Sequence, residues 1–274
     1  MSAPAAATSA AILFDATMCI GCGACSAACK EQNGLPPPIE EKNTATTWTT
    51  VEARAGTYVR HMCMHCLTPT CASVCPVAAL SKDPAGPVVY DASKCMGCRY
   101  CIMACPFGVP KYQWDRRVPV VQKCILCASR VKNGEATACA FVCPTGATKF
   151  GDRAALLREA HERIAAEPGR YVDHVYGEFE AGGTGVIMLS GVSFGDLGLP
   201  TNLPNEPMPM LTWRVLSTIP DFVVVAAVFL YGVHWITKRR EYVRMVEGGE
   251  GPVEPPTPAH GGGGGGHTRG GRRS

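Results

Sequence analysis

The stretch Cys95-Met-Gly-Cys98-Arg-Tyr-Cys101-Ile-Met-Ala-Cys105-Pro106 decides the fold of this 274-residue chain. It places three cysteines three residues apart and a fourth, followed by proline, four residues later. Related spacings occur at three other places, and the four runs together use all 16 cysteines of the chain. Because no cysteine is left over, the sequence predicts four complete four-thiolate sites. The other runs are Cys19-Cys22-Cys25-Cys29, Cys63-Cys66-Cys71-Cys75 and Cys124-Cys127-Cys139-Cys143.

This spacing is that of the cysteine run that holds iron–sulfur clusters through thiolates in bacterial ferredoxins. Three closely spaced cysteines on one loop bind three corners of a cluster, because each iron prefers a soft thiolate ligand. The fourth cysteine binds a second cluster, so one run needs a partner run. The sequence therefore predicts four [4Fe–4S] clusters, with all sixteen cysteines as iron ligands and no catalytic residue.

Other roles for these cysteines fit the pattern less well. Structural zinc sites also use C-x2-C pairs, but they combine two pairs rather than triplets with a trailing Cys-Pro. A disulfide scaffold typically has more than about 8–10% cysteine in a short chain. Rieske centres use histidine ligands, and His61 and His65 flank Cys63 and Cys66. With a full cysteine set present, we expect these histidines to donate hydrogen bonds to sulfur or to lie at a protein interface.

A repeat outside the cysteines indicates the fold class. Ile12-Leu13-Phe14-Asp15 precedes Cys19 at the same offset at which Val88-Val89-Tyr90-Asp91 precedes Cys95. Each is a short apolar run typical of a strand and ends in an acidic turn residue. The repeat predicts an α+β domain over residues 12–152, built from two interleaved ferredoxin-like modules with loop insertions.

The charge balance gives no evidence for a nucleic-acid partner. The chain has 26 Lys and Arg, 23 Asp and Glu and a formal net charge of +3. Four oxidised clusters with their thiolates each add about −2, which brings the total to about −5. No basic face with interleaved aromatic residues is present in the sequence, and we expect no nucleic-acid partner.

The segment after the cysteines is predicted to contain one amphipathic helix and an extended connector, over residues 153–212. Arg153–Glu167 has helical periodicity, and Pro168-Gly169 ends it. Val186–Leu189 is a short apolar run within the connector. The apolar stripe of the helix is predicted to be Ala154, Leu157, Ile164 and Ala165.

Val215–Thr237 is apolar apart from Asp221, His234 and a few small polar residues, and twenty-three residues suffice to cross about 30 Å of hydrocarbon. Trp213 and Trp235 lie near its two ends, as in an aromatic belt. The sequence therefore predicts a transmembrane anchor over residues 213–240 in the inner membrane. More basic residues follow the span than precede it, which predicts a cytoplasmic C-terminus and a cluster domain on the periplasmic side.

The two termini lack the patterns of folded structure. Residues 1–11 are uncharged and rich in Ala, Ser and Thr, without the features of a signal peptide, and predict a disordered leader. Residues 241–274 are rich in Gly and Pro and predict a disordered tail. Because the leader carries no export signal, we expect export together with a partner that does.

The four runs in this order, followed by a C-terminal anchor, resemble the electron-transfer iron–sulfur subunits of membrane-bound respiratory oxidoreductases. The resemblance covers residues 12–240 and is to the beta subunits of formate dehydrogenase-N and of uptake nickel–iron hydrogenases. Leu189-Ser-Gly-Val192 favours the hydrogenase branch. In that family the first run pairs with the fourth and the second with the third. The resemblance implies these ligand sets: Cys19, Cys22, Cys25 and Cys143; Cys29, Cys124, Cys127 and Cys139; Cys63, Cys66, Cys71 and Cys105; Cys75, Cys95, Cys98 and Cys101.

The function implied is a relay. Electrons pass through four [4Fe–4S] clusters between a catalytic subunit and an integral membrane quinone-reactive or cytochrome b subunit in the lipid bilayer. The favoured catalytic partner is a nickel–iron hydrogenase, and the alternative is a formate dehydrogenase or other molybdopterin enzyme. A third reading, a cytoplasmic catalytic iron–sulfur enzyme, requires an incompletely ligated cluster, which the sixteen cysteines do not favour.

Overall fold

The computed structural model of this chain describes residues 9–114, 117 and 119–248. The predicted leader lies outside these residues up to position 8, and so does the predicted tail from position 249 onward. The strands are β1 (Ala10–Asp15), β2 (Thr50–Arg54), β3 (Thr57–His61), β4 (Leu80–Lys82), β5 (Val88–Tyr90), β6 (Lys111–Tyr112), β7 (Val121–Gln122), β8 (Thr148–Asp152) and β9 (Val186–Leu189). The helices are α1 (Ala24–Asn33), α2 (Thr70–Ser73), α3 (Tyr100–Ala104), α4 (Ala128–Lys132), α5 (Ala138–Phe141), α6 (Arg153–Ala166), α7 (Met208–Leu216) and α8 (Ile219–Glu247), with a 3-10 turn at Glu180–Gly182.

Strand β1 is the centre of a three-stranded sheet with the order β8-β1-β9. It pairs antiparallel with β8 and parallel with β9. All four residues of β9 are buried, so the apolar run of the predicted connector is a sheet strand rather than a surface tail. Strand β1 also begins two residues earlier than its apolar pattern indicated, because Ala10 and Ala11 pair with Asp152 and Gly151.

The remaining strands form three separate antiparallel pairs, β2-β3, β4-β5 and β6-β7. The β4-β5 hairpin pairs Leu80 with Tyr90 and Lys82 with Val88. Its strand β5 precedes the third cysteine run in the same way as β1 precedes the first. Both strands predicted from the sequence repeat are present.

Proline determines how long the helix of each cysteine run is. Cys75, Cys105 and Cys143 are each followed by proline, which disfavours the helical conformation at the residue before it. Helices α2, α3 and α5 in these runs have only four or five residues. The first run has no proline after Cys29, and α1 continues for ten residues to Asn33.

Helix α6 confirms the predicted helix, but the predicted apolar stripe was partly wrong. Asp152 caps its N-terminus by accepting a hydrogen bond from the Ala155 N–H at 3.1 Å. The fully buried positions are Leu156 and Ala160, which pack with Leu13 and Ile187 of the sheet. Ala154 and Ala165 of the predicted stripe are exposed instead, whereas Leu157 and Ile164 are half-buried against this cluster.

The face shifted because two charged residues of α6, Glu159 and Arg163, turn toward the sheet. Arg163 forms an ion pair with Asp15 at the end of β1 at 2.9 Å and another with Glu159 at 2.6 Å. Asp15 is completely buried. A buried carboxylate needs charged or hydrogen-bonding partners, and this need places Arg163 on the inner face of the helix.

The chain divides into two compact units, residues 1–215 and 216–274. In the second unit, α8 begins at Ile219, so the predicted anchor from residue 213 is not one continuous helix. Residues 217 and 218 form a turn after α7, and Pro220 lies in the first turn of α8, where proline favours a helix start. Helix α8 then continues to Glu247, so residues 241–247 are helical and not part of a disordered tail.

By length and composition, the segment Met208–Glu247 is able to cross a membrane, and its apolar stretch is not buried inside the protein. It is the one such segment among residues 9–114, 117 and 119–248. Asp221, the acidic residue of the apolar stretch, lies in the first turn of α8, where a negative charge is favoured by the helix dipole.

Candidate metal centres

The four cysteine runs fold through one shared backbone feature. The residue in front of the second cysteine has a left-handed conformation in every run. It is Gly21 in the first run (φ 71°) and Gly97 in the third (φ 74°), where glycine adopts this conformation freely. In the second and fourth runs it is His65 (φ 49°) and Leu126 (φ 55°), whose side chains are completely or almost completely buried. Burial of these two side chains compensates for the strain that a left-handed backbone imposes on a residue other than glycine.

The third cysteine of each run has an equivalent position in a helix. It is the second residue of α1, α2, α3 and α5, respectively. The N–H groups of a helix N-terminus have no partner within the helix and favour a negative charge nearby. This position therefore suits a thiolate better than a neutral thiol. These cysteines are Cys25, Cys71, Cys101 and Cys139.

The fold gathers the sixteen cysteines into four groups of four. Three groups line separate small cavities, and the fourth is defined by mutual electrostatic contacts around Cys66. Each group combines three cysteines of one run with the last cysteine of another, and the groups have the same members as the sets implied by the family resemblance. They are site 1 (Cys19, Cys22, Cys25 and Cys143), site 2 (Cys29, Cys124, Cys127 and Cys139), site 3 (Cys63, Cys66, Cys71 and Cys105) and site 4 (Cys75, Cys95, Cys98 and Cys101).

The four sites form a row. Cys25 of site 1 interacts electrostatically with Cys29 of site 2. Cys63 of site 3 does so with Cys124 of site 2, and Cys71 of site 3 with Cys101 of site 4. Each site is thus adjacent to the next in the order 1, 2, 3, 4.

The two ends of the row are more exposed than its middle. All four cysteines of site 2 are buried, whereas Cys22 of site 1 is exposed. At the other end, Met96, Tyr100 and Met103 of the third run are all exposed. Site 2, in the middle of the row, is therefore shielded from water, whereas Cys66 and Cys105 of the neighbouring site 3 are half-buried.

An aromatic and basic cluster lies beside site 4. The Arg99 guanidinium lies 5.6 Å from the ring centre of Tyr112 and 5.4 Å from that of Trp114. Trp114 is 74% exposed, so the cluster is on the surface. Stacking of this kind holds the Arg99 charge close to the end of the row.

Burial and mutual repulsion raise the pKa of most buried thiols in these sites. Burial, together with the neighbouring Cys139, raises the pKa of Cys29 to about 12. Burial and Cys63 raise the pKa of Cys71 to about 12. A cluster ligand must be deprotonated, so four thiolates in one of these groups require a positively charged centre between them.

The arrangement of the cysteine side chains within each site favours a cluster over a single metal ion. Within the described residues, no three or more Cys, His, Asp or Glu side chains converge as they would on one metal ion. Zinc bound by four cysteines requires all four sulfurs about 2.3 Å from the ion. Four soft thiolates suit an iron–sulfur core, and the residues of all four sites fit this group.

Backbone and side-chain donors point at several of the sulfurs. The N–H of Ala79 donates to Cys75 Sγ at 3.2 Å, and that of Thr148 to Cys143 Sγ at 3.4 Å. Leu126 N–H donates to Cys124 Sγ at 3.4 Å. Burial opposes ionisation of Cys143, but the Thr148 N–H and the Thr145 hydroxyl hold the pKa of its thiol below the ordinary value. Hydrogen bonds to ligand sulfurs are one of the means by which a protein adjusts the potential of a cluster.

Buried cations accompany the inner sites, and the sequence analysis did not predict them. Arg60 lies by site 2, and its charge favours the thiolate forms of Cys29, Cys127 and Cys139. Lys123 acts in the same way on Cys71 of site 3, and its Nζ donates to the carbonyls of Val88 and Cys124 at 2.5 and 2.9 Å. Neither residue belongs to a recognisable motif, because long-range packing brings Arg60 to Cys127 and Cys139, and Lys123 to Cys71.

The two histidines beside the second run make no hydrogen bond to a cysteine sulfur among the described residues. The His65 Nδ1 atom accepts a hydrogen bond from the Val88 N–H at 2.9 Å, and its Nε2 is buried without a hydrogen-bond partner. His61 Nε2 lies 3.8 Å from Glu52. Among the hydrogen bonds of the described residues, neither ring donates to a cysteine sulfur, and a position at a protein interface stays a prediction for both histidines.

The sequence comparisons define first the class and then the family. Sequence models of the 4Fe-4S dicluster domain match residues 18–79 and 55–153. A protein of Nitratidesulfovibrio vulgaris (strain Hildenborough) is 42% identical over 257 residues, 87% of this chain and 70% of its own length. Hydrogenase-2 operon protein HybA of Escherichia coli O157:H7 is 38% identical over 237 residues, 69% of this chain and 72% of its own. The formate dehydrogenase-O iron-sulfur subunit of Escherichia coli K12 is 35% identical over 249 residues, 82% of each chain.

The chain belongs to the 4Fe-4S dicluster family that contains HybA and the formate dehydrogenase iron-sulfur subunits. This confirms the resemblance identified from the cysteine runs. Two dicluster domains and sixteen cysteines correspond to four [4Fe–4S] clusters, as predicted.

Proposed function

We propose that this chain is the electron-transfer subunit of a membrane-bound respiratory oxidoreductase complex. Sites 1 to 4 each hold one [4Fe–4S] cluster through their four cysteines, within two interleaved α+β ferredoxin-like modules. The observation that carries the proposal is the row of four cysteine groups with a shielded middle and exposed ends. A protein that only stores or senses iron needs no such continuous arrangement.

A [4Fe–4S] cluster supplies one-electron redox chemistry when bound. The chain itself contributes thiolate ligands, spacing and protection from water. The buried cysteines of site 2 and the packed strands around them exclude solvent from the middle of the row. Arg60 and Lys123 offset the negative charge that the thiolates introduce. The exposed residues beside sites 1 and 4 leave the two ends open to contact with other subunits.

The favoured catalytic partner is a nickel–iron hydrogenase. The hydrogenase-2 operon protein HybA matches at 38% identity and the formate dehydrogenase-O subunit at 35%. The sequence Leu189-Ser-Gly-Val192, which begins at the last residue of strand β9, also favours that branch. The alternative partner is a formate dehydrogenase or another molybdopterin enzyme, with the same residues in the same roles.

Metal analysis of the complex, purified from native membranes through this subunit, tests the proposal. We expect nickel together with iron in excess of four clusters. Molybdenum or tungsten without nickel transfers the assignment to a formate dehydrogenase or a related enzyme. Iron amounting to fewer than four clusters per subunit contradicts the assignment of the sixteen cysteines.

We further propose that the segment Met208–Glu247 anchors the chain in the inner membrane as a single span beside a quinone-reactive or cytochrome b subunit. Its length and apolar composition support this role. Lys238, Arg239, Arg240 and Arg244 follow the apolar stretch, and the excess of positive charge favours a cytoplasmic C-terminus and a periplasmic cluster domain. Protease added to intact spheroplasts should then degrade the cluster domain. Protection in spheroplasts, with degradation only after lysis, contradicts this orientation.

A further inference from the structure

Arg60 of strand β3 is a buried cation without a carboxylate partner. Its side chain is 1% exposed, although arginine is among the residues least often buried. The Nε–H donates to Thr49 Oγ1 at 2.9 Å, and one terminal nitrogen donates to Thr148 Oγ1 at 3.3 Å. Among the described residues, no ion pair joins Arg60 to an Asp or Glu side chain. The two threonines therefore orient the guanidinium but do not neutralise it.

A buried charge is costly unless it is paired, and the partners available to Arg60 are thiolates of two different sites. Arg60 lines the cavity that is bounded by the four cysteines of site 2, and Cys139 interacts with the guanidinium electrostatically. Thr148, which accepts a hydrogen bond from Arg60, lines the cavity of site 1 and donates its N–H to Cys143 Sγ at 3.4 Å. Cys25 of site 1 also interacts with the guanidinium electrostatically. Arg60 thus lies where sites 1 and 2 adjoin.

We propose that Arg60 sets the reduction potentials of the clusters in sites 1 and 2 together, by supplying one fixed positive charge to both. The inference rests on the proposed ligand assignment. Reduction of a cluster adds one negative charge, so a nearby fixed cation stabilises the reduced form and raises the potential. Sites 3 and 4 lie farther along the row, and site 3 has other cationic neighbours, Lys82 and Lys123.

The test is a redox titration of the intact complex, followed by electron paramagnetic resonance, for the substitutions Arg60→Gln and Arg60→Lys. Glutamine keeps hydrogen-bonding capacity and removes the charge. We expect two of the four one-electron components to become at least tenfold harder to reduce, a shift of about 59 mV to lower potential. Lysine keeps the charge, so in Arg60→Lys we expect the same two components to become harder to reduce by less than threefold. The other two components should stay unchanged in both variants.

Arg153→Gln is the matched control. Arg153 is half-buried and donates to the carbonyls of Thr184, Gly177 and Glu178 rather than to a sulfur. Its substitution removes a positive charge and several hydrogen bonds, and we expect no component to shift by tenfold. A shift of two components as large as that in Arg60→Gln would indicate a general loss of packing and overturn the inference.

Iron content separates this inference from the ligand assignment. A wild-type complex with less iron than four clusters contradicts the assignment itself, whatever the potentials. An Arg60→Gln complex with full iron that shifts no component, or all four equally, overturns the role of Arg60. If Arg60→Gln loses iron, Thr49→Asp replaces it, because a carboxylate at the position of the Thr49 hydroxyl would pair with the Arg60 guanidinium and offset its charge. We then expect the same two components to become at least threefold harder to reduce. Four unchanged components in a Thr49→Asp complex with full iron overturn the inference.

Discussion

The cluster region has two halves, the first with sites 1 and 2 and the second with sites 3 and 4. Both halves begin with the same local structure, but in different surroundings. In the first half, Asp15 ends β1, and its Oδ1 accepts from the Thr17 N–H and hydroxyl at 2.9 and 2.7 Å. In the second half, Asp91 follows β5, and its Oδ1 accepts from the Ser93 N–H and hydroxyl at 3.0 and 2.6 Å. Both turns lead into a cysteine run, so the repeated sequence produces a repeated turn.

The surroundings of the two aspartates differ because only the first half is covered. The other oxygen of Asp15 accepts from Arg163 of α6 and from the Tyr171 hydroxyl, both at 2.9 Å. Asp91 is exposed, and its further partner is Lys94 on the surface at 3.3 Å. The same residue is therefore a buried structural link in one half and a solvated turn residue in the other. Local sequence determines the turn, and the elements packed over it determine how much it stabilises the fold.

The cations near the inner sites differ in the same manner. The first half has Arg60, held by threonine hydroxyls and without a carboxylate. The second half has Lys82 and Lys123, whose ammonium groups donate to backbone carbonyls. Arginine is always charged, whereas a buried lysine changes its pKa readily. Burial indeed lowers the pKa of Lys82, to about 8. The first half therefore has a charge that does not depend on pH.

The largest effect is expected for ligand substitutions, one in each half. Cys124→Ser changes a fully buried cysteine of site 2, and Cys98→Ser changes a partly exposed cysteine of site 4. Each should lose one cluster and abolish turnover with quinone, while dye reduction by the catalytic subunit largely survives. Cys124→Ser should also lower the yield of assembled complex, because it disturbs the packed middle of the row. Iron analysis and the two activity assays measure this; equal loss of both activities argues against a pure relay.

A smaller effect is expected when the two aspartates are compared. Asp15→Ala removes the buried partner of Arg163 and Tyr171, and should lower the free energy of unfolding by about 2–3 kcal/mol. Asp91→Ala removes a solvated contact and should leave the denaturation midpoint close to that of the wild type. Denaturant titration followed by the loss of visible absorption measures both. Equal midpoints for the two variants would show that burial of Asp15 contributes nothing.

The smallest effect is expected at Gly21 and Gly97, the two glycines that precede the second cysteine of a run and have a left-handed conformation. Gly97→Ala should cost about 1 kcal/mol, because alanine is strained at positive φ. Its Cβ would lie 3.1 Å from Tyr112 Oη. Gly21→Ala has the same strain, and its Cβ would overlap the ring of Tyr58, so it should cost about 2 kcal/mol.

The double substitution Gly21→Ala with Tyr58→Ala separates the two contributions. Removal of the ring should return the cost of Gly21→Ala to that of Gly97→Ala, measured as the shift of the denaturation midpoint against Tyr58→Ala alone. If the double substitution costs as much as Gly21→Ala on its own, backbone strain rather than contact with Tyr58 accounts for the difference between the halves.

The sequence by itself determined the features that depend on near neighbours. Cysteine spacing predicted four four-thiolate sites, the apolar repeats predicted the strands before Cys19 and Cys95, and periodicity predicted α6. These features follow from turns, helix periodicity and ligand chemistry, which act over a few residues. Pro220 also marks the start of α8, a local signal that the prediction of one continuous span from residue 213 overlooked.

The tertiary structure decided which residues meet across long separations. Arg60 reaches Cys139 and Thr148, although each lies more than 70 positions away in the chain. Asp15 determines which face of α6 points inward, although it lies more than 130 positions before this helix in the sequence. Such contacts depend on how strands from distant parts of the chain pack into one sheet. The sequence neighbours of a charged residue therefore predict neither its burial nor its partner, because both depend on the assembled fold.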